Sequence, residues 1–283
     1  MLITEAFEAY EMDELLSERR SFSTIDNYRK AKKSLLKSIG SDVPLELFTY
    51  MHVIGWKKSM YEKGIAGSTM AQHLMKLRSI LTYLKKHGFN TLDPAEIKIP
   101  SFKYKETAWL TMEEMGRFLG VIDNPRDKAL FSCQFSSGAR ISELLSLNRD
   151  SIVDGSADII GKGGKSRALN FDQNALKVLD EYLATRKDNL EPLFISRQYR
   201  RIGRVQVINL AHKYAKLAGI DKNVTTHVMR HSFGTDLELN GMDIYGISKQ
   251  LGHARIETTR IYIHAADTNK RPDYDKYHTI TPI

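Results

Sequence analysis

Met70, Leu74, Leu77, Leu81 and Leu84 recur at three- and four-residue intervals in "STMAQHLMKLRSILTYLKKHG". A stripe with that period is buried most simply against other helices. Ser68 is placed to cap this helix and Gly88 to stop it. A second stripe, Ile25, Tyr28, Lys32, Leu35 and Ile39, has the same period and a strongly basic flank. With "LELFTYMHVIGWKKSMYEKG" and the N-terminal segment, the first ninety residues predict four helices. For each Lys or Arg here, a solvated face and a partner-facing role stay equally open. The pattern stops at "LDPAEIKIPSFKYKETAWLT", which has two prolines and no helical period. Residues 93–107 therefore read as a linker between a helical unit at 1–92 and a second one from 108. The second opens on the capping box "TMEE", with Thr111 as cap and Glu114 reaching back.

The second unit reads as mainly helical with one β interruption. "FSCQFSSGARISELLSLN" reads as helix, break, helix, and "SADIIGKGGKSRALNF" as two short strands joined by a Gly-rich turn. Further helices are expected in "QNALKVLDEYLATRK", "VQVINLAHKYAKLAG", "THVMRHSFGTDLELN", "DIYGISKQLGH" and "IETTRIYIHAA". Pro272 and the β-branched "TITPI" predict a short helix and then an extended segment in the tail.

Forty-two Lys and Arg against 34 Asp and Glu leave a net charge of +8, which favours a polyanionic partner such as nucleic acid. One cysteine, Cys133, excludes an intrachain disulfide framework and a zinc finger. Acids inside the apolar pattern of the N-terminal stretch do not fit a signal peptide. No run reaches the roughly 18 apolar residues of a membrane span. The expectation is a cytoplasmic protein without a membrane partner.

Candidate chemistry centres on "THVMRHSFG". His227 and His231 have the i, i+4 spacing of helix-borne metal ligands, but no Glu follows His227 and Arg230 lies between them, so a metal is disfavoured. "GKGGKSR" lacks the spacer of a phosphate-binding P-loop and reads as a hairpin turn. Arg140, Lys162, His227, Arg230 and His253 all sit at element ends, where convergence could hold one phosphate and its developing charge. Arg matches phosphate oxygens bidentately. Phosphoryl transfer needs mainly positioning and charge stabilisation, so no metal or cofactor is expected. Tyr262, nine residues after His253, is the candidate nucleophile.

"SSGARISELLSL", "IIGKGGKSR", "THVMRHSFGT" and "LGHARIETTRIYIH" resemble, in order and spacing, the four boxes of the tyrosine recombinase or phage integrase family. The length and the box wording are most similar to its Xer branch. The resemblance implies a mainly α fold with a small antiparallel β-sheet: a SAM-like helical core-binding bundle, then a mixed α/β catalytic domain at 108–264 and a tail at 265–283. The tail would be exchanged between protomers or folded back in cis. By the resemblance, Arg140 and Arg230 clamp the scissile phosphate and Lys162 protonates the departing 5′-oxygen. His227 assists proton transfer and His253 bonds the phosphate. Tyr262 forms a 3′-phosphotyrosyl link. The implied partner is a double-stranded recombination site, bound by a homotetramer on two sites, with a dimer or monomer as the free form. The implied role is resolution of chromosome or plasmid dimers. Integration of a mobile element is the alternative, with a non-catalytic DNA-binding protein or a type IB topoisomerase behind it.

Each residue also has a structural reading. Arg140 could pair with Glu143, three residues along the same helix, and in the family such a Glu supports the Arg. His231 reads as a buried structural histidine and Cys133 as core. Tyr199, Tyr214, Tyr245, Tyr274 and Tyr277 read as packing or surface residues. Helices around Arg78 and "QYRRIGRVQ" are candidates for the DNA major groove.

Overall fold

The apolar stripes of the first ninety residues turn inward together in the computed structural model, which describes residues 1–101, 108–160, 166–252 and Thr259. The chain divides into two compact units, Met1–Lys105 and Glu106–Ile283. In the first, α1 (Ile3–Tyr10) runs on into a π-helical stretch, Glu11–Leu16, and is followed by α2 (Phe22–Ile39), α3 (Tyr50–Glu62) and α4 (Gly67–Lys86). Phe7, Leu35, Trp56, Leu77 and Leu81 meet in one core, and the Trp56 indole N–H donates to Ser34 Oγ at 3.0 Å. Ser21 caps α2 by accepting from the Thr24 N–H.

Ser68 does not cap α4. The cap residue is Ala66, and Gly67 already belongs to the helix. The end of α3 is closed by bonds from the Gly64 and Ile65 N–H groups to the Tyr61 and Met60 carbonyls. That tight closure leaves so short a connection that the next helix starts before the serine. The segment read as the head of the linker folds onto the bundle. Asp93 caps a 3-10 turn at Pro94–Glu96, and Ile97 is fully buried in the first core. Arg78, expected near a DNA groove, is half-buried and donates to the Ile97 carbonyl, and the Lys57 ammonium donates to the Lys98 carbonyl at 3.0 Å. Carbonyls left over by an irregular turn need donors, and these two cations supply them.

The second unit contains α5 (Met112–Gly120), α6 (Pro125–Ser137), α7 (Ile141–Ser146), β1 (Ser156–Ile160), β2 (Ser166–Asn170), α8 (Gln173–Thr185), α9 (Arg204–Leu217), α10 (Thr226–Leu239) and α11 (Ile244–Leu251). Thr111 and Glu114 form the expected capping box of α5. Helix α6 runs through the core. Phe131 meets Phe118 edge-on at 5.2 Å, and Cys133 is fully buried, its thiol pushed up to about 12 by that burial. Asp127, also on α6, accepts from Tyr214 Oη at 2.8 Å and from the Arg126 guanidinium. Gln134 donates to the Thr226 carbonyl at 3.0 Å, which fixes the start of α10 against α6. The strands pair antiparallel from Ser156 opposite Asn170 to Ile160 opposite Ser166, with Ala157, Ile159 and Leu169 buried. Among the described residues, no helix is long and apolar enough to cross a membrane.

Because Ile97 completes the first core, Ile97→Ala should lower that unit's stability by about 2–5 kcal/mol. The measurement is the urea midpoint of the full chain followed by Trp56 fluorescence in a Trp109→Phe background, and an unchanged midpoint would contradict this packing.

Candidate active site

Gly138 ends α6 in the left-handed conformation, φ +58°. A Cβ there would lie 2.2 Å from Cδ1 of Phe233 on α10, so both the turn and the close packing require glycine. The turn delivers Arg140 to the cap position of α7. Its backbone N–H donates to Glu143 Oε2 and its Nη1 to Glu143 Oε1, both at 2.8 Å. The structural and the supporting reading of Glu143 therefore describe one interaction. Burial raises the pKa of this carboxyl, but the Arg140 bonds and the charges of Arg167 and Arg140 outweigh burial, holding it below the ordinary carboxylate value.

Arg230 lies on the buried side of α10, 6% exposed. Its Nη1 donates to the Gly138 carbonyl at 2.7 Å and its Nη2 to the Leu251 carbonyl. One guanidinium thus bridges the C-terminal ends of α6 and α11. Two others reach the same end of α11: Arg140 Nη2 to the Gly252 carbonyl at 3.3 Å, and Arg167 Nη1 to the Gln250 carbonyl at 2.8 Å. The last carbonyls of a helix lack intrahelical partners and carry the negative end of its dipole, so cations belong there.

His227 is the second residue of α10, whose N-terminus is capped by the Thr225 hydroxyl. Its Nε2 lies 3.5 Å from Arg204 Nη2 at the start of α9. The residue as a whole is exposed, yet its ring is crowded enough for desolvation to lower its pKa. Arg204, Arg230 and Arg140 lower it further. The ring is therefore neutral at pH 7 and able to accept a proton.

Arg140, Glu143, His227 and Arg230 gather around the ends of α6, α10 and α11. His231 is buried one turn further along α10. Lys162, His253 and Tyr262 lie outside the described residues. Tyr214 is buried and Tyr199 and Tyr245 are exposed, as expected, whereas Tyr274 and Tyr277 also lie outside. Within "QYRRIGRVQ", Arg201 donates to the Leu145 and Leu147 carbonyls, which is a structural use. The sequence alone does not single out Arg167, and it offers Arg204 only as part of a candidate groove segment, not as a neighbour of His227. For Arg167 a signal existed: the alternation that buries Leu169 puts residue 167 on the same face of β2. Among the described residues, no group of three or more His, Cys, Asp or Glu could hold a metal. Guanidiniums beside a neutral imidazole and one ionised carboxylate suit an anionic tetrahedral group and a proton acceptor.

Two outcomes are expected from this geometry. The imidazole of His227, followed by NMR, should titrate below its ordinary pKa of about 6.5, and Arg204→Ala should raise the midpoint by removing a neighbouring cation. Because the folded value is depressed, the unfolded chain binds the proton more readily. The ring's contribution to stability therefore falls as pH drops below about 6.5. Gly138→Ala should cost about 1–3 kcal/mol in a denaturant titration, since Phe233 must move and the turn is strained.

Comparison with known proteins agrees with this geometry. The model of the phage integrase family matches residues 108–269. Tyrosine recombinase XerC of Thermodesulfovibrio yellowstonii is 34% identical over 237 residues, covering 77% of this chain and 78% of the relative. Tyrosine recombinase XerA of Pyrococcus horikoshii is 30% identical over 278 residues, covering 87% and 96%. Among solved structures, the Tn1549 transposon integrase in complex with circular intermediate DNA superposes with a TM-score of 0.80 at 16% identity, covering 98% of this chain and all of that one. A lambda integrase dimer bound to a core site gives 0.77 at 18% identity, covering 91% and 97%, so both share the fold. With the family model over more than half of the chain and a relative one-third identical over three-quarters of it, the chain belongs to the phage integrase family, in its Xer branch, as a tyrosine-type site-specific recombinase.

Proposed function

We propose that the chain cleaves and rejoins duplex DNA through a 3′-phosphotyrosyl intermediate, in a cycle that resolves chromosome or plasmid dimers. The observation that carries the chemistry is the pair of guanidiniums, Arg140 and Arg230, both fixed at the end of α11, which leads into the segment holding His253 and Tyr262. In this reading the two guanidiniums hold the non-bridging oxygens of the scissile phosphate. The Tyr262 phenol oxygen attacks phosphorus, and the bond to the 5′-oxygen breaks. Lys162 donates a proton to that leaving oxygen, and neutral His227 assists proton transfer. His253 bonds the phosphate. A phenol with an ordinary pKa near 10 needs a cationic surround or a base to attack at neutral pH. A new 5′-hydroxyl reverses the step, so the phosphoester energy is kept and no nucleotide cofactor is called for.

Both units contact DNA in this reading. The net charge of +8 makes phosphate neutralisation the main source of affinity, which should fall steeply with salt. The catalytic assembly is a tetramer on two sites, with the residues after 264 packing in trans or in cis. Curated relatives named XerC, XerD and XerA support dimer resolution over integration of a mobile element.

Covalent adducts captured on host DNA and mapped by sequencing should fall at one chromosomal or plasmid site. Adducts at the ends of a mobile element would favour integration. On a nicked suicide duplex carrying the mapped site, the wild type should accumulate an adduct, Tyr262→Phe none, and EDTA should leave the yield unchanged. An adduct on another tyrosine would overturn the assignment.

A further inference from the structure

The least expected group in the catalytic unit is Arg167. It sits on the inward face of β2, two residues before fully buried Leu169 and opposite buried Ile159. An inward strand position normally takes an apolar side chain. Here the guanidinium joins three elements. Nη2 bonds Glu143 Oε2 at 2.8 Å, on the carboxylate whose other oxygen bonds Arg140. Nη1 bonds the Gln250 carbonyl at 2.8 Å. The stem covers Gly252, where a Cβ would lie 2.5 Å from Arg167 Cδ. Gly252 also has φ +64°, so both its conformation and its neighbour require glycine, at the point where the chain leaves α11. Burial alone explains none of this, because a buried ion pair is often no more stabilising than an apolar pair of equal volume.

We propose that Arg167 is a positioning residue: it ties the β1–β2 hairpin to the Glu143–Arg140 pair and to the exit of α11, and sets cleavage competence without touching the DNA phosphate. The proposal rests on the functional reading above. In sequence, Lys162 lies between the two strands, and His253 follows Gly252. One side chain thus fixes the base of the lysine's hairpin, the orientation of a phosphate-binding guanidinium and the start of the nucleophile's segment. A misplacement of about 1 Å in such a constellation is enough to cost about 100-fold in rate.

The test compares the full-length wild type with Arg167→Gln and Arg167→Lys, using the nicked duplex recovered from adduct mapping. Arg167→Gln should bind that duplex within about 3-fold of wild type yet form the phosphotyrosyl adduct about 100-fold more slowly. Arg167→Lys keeps the charge but offers one ammonium to two separated acceptors, and should fall between. Combining Arg167→Gln with Glu143→Gln should slow cleavage by much less than the product of the single losses, since both break one chain of contacts. Wild-type cleavage by Arg167→Gln, an equal loss of DNA affinity, or multiplicative losses in the double variant would each overturn the proposal. If Arg167→Gln is unfolded at the assay temperature, the same criteria pass to Arg167→Lys. Hydrogen exchange without DNA separates this from the functional reading. Amides at 250–252 should exchange about 10-fold faster in Arg167→Gln. If the wild type forms no adduct but this exchange rises, the functional reading fails and the joint stands. Unchanged exchange refutes the joint.

Discussion

The C-terminal end of α11 is where the catalytic unit is made or lost. An eight-residue helix ends with carbonyls that no backbone N–H can reach, and Gln250, Leu251 and Gly252 each receive a guanidinium from a different element. The negative end of the helix dipole lets the three cations sit together, and Glu143 offsets two of them directly. Ammonium groups could not replace them well, because each guanidinium must reach two acceptors in a fixed plane. The charge that would meet a phosphate therefore also holds the fold's last described helix.

Two kinds of order support this cluster. Apolar packing along α6 sets where its C-terminal turn falls, through Phe131, Cys133 and the buried Asp127–Tyr214 bond. Polar bonds then place the side chains that emerge from the turn. Packing is tolerant of small changes, whereas the polar layer depends on backbone conformations at Gly138 and Gly252 that other residues adopt only under strain. In the first unit the same polar logic serves packing. Arg78 and Lys57 satisfy carbonyls of the segment after α4, turning chain that has no helical period into part of the core.

Much of the fold could be read from sequence because its signals are local. Seams such as Leu74, Leu77, Leu81 and Leu84, the Thr111–Glu114 box and the Gly138 break each act over four or five residues. The helices and hairpin of the described catalytic unit lie where those signals put them. Reading failed where the deciding partner is remote in sequence. Ile97 looks like linker until Arg78 and the bundle are brought to it, and Ser68 looks like a cap until the closure of α3 fixes the start of α4. At the candidate site, the boxes single out Arg140, His227 and Arg230, and the spacing to Arg140 singles out Glu143; the structure brings these four together. The β2 alternation puts Arg167 inward, but does not reveal its partners, which lie 24 and 83 residues away, and Arg204 faces His227 from 23 residues away.

The bridge that Arg230 makes between the ends of two helices bears on how an inert form of this enzyme should be prepared. Replacing that guanidinium would remove the group proposed to hold the phosphate and unfasten α6 from α11 in one stroke. A silent Arg230 variant could not tell lost chemistry from a loosened scaffold. In the proposed mechanism, removing the Tyr262 phenol oxygen is the cleaner way to trap a DNA complex before strand cutting, because Tyr262 is not one of the groups that fasten α6 to α11 in the described residues.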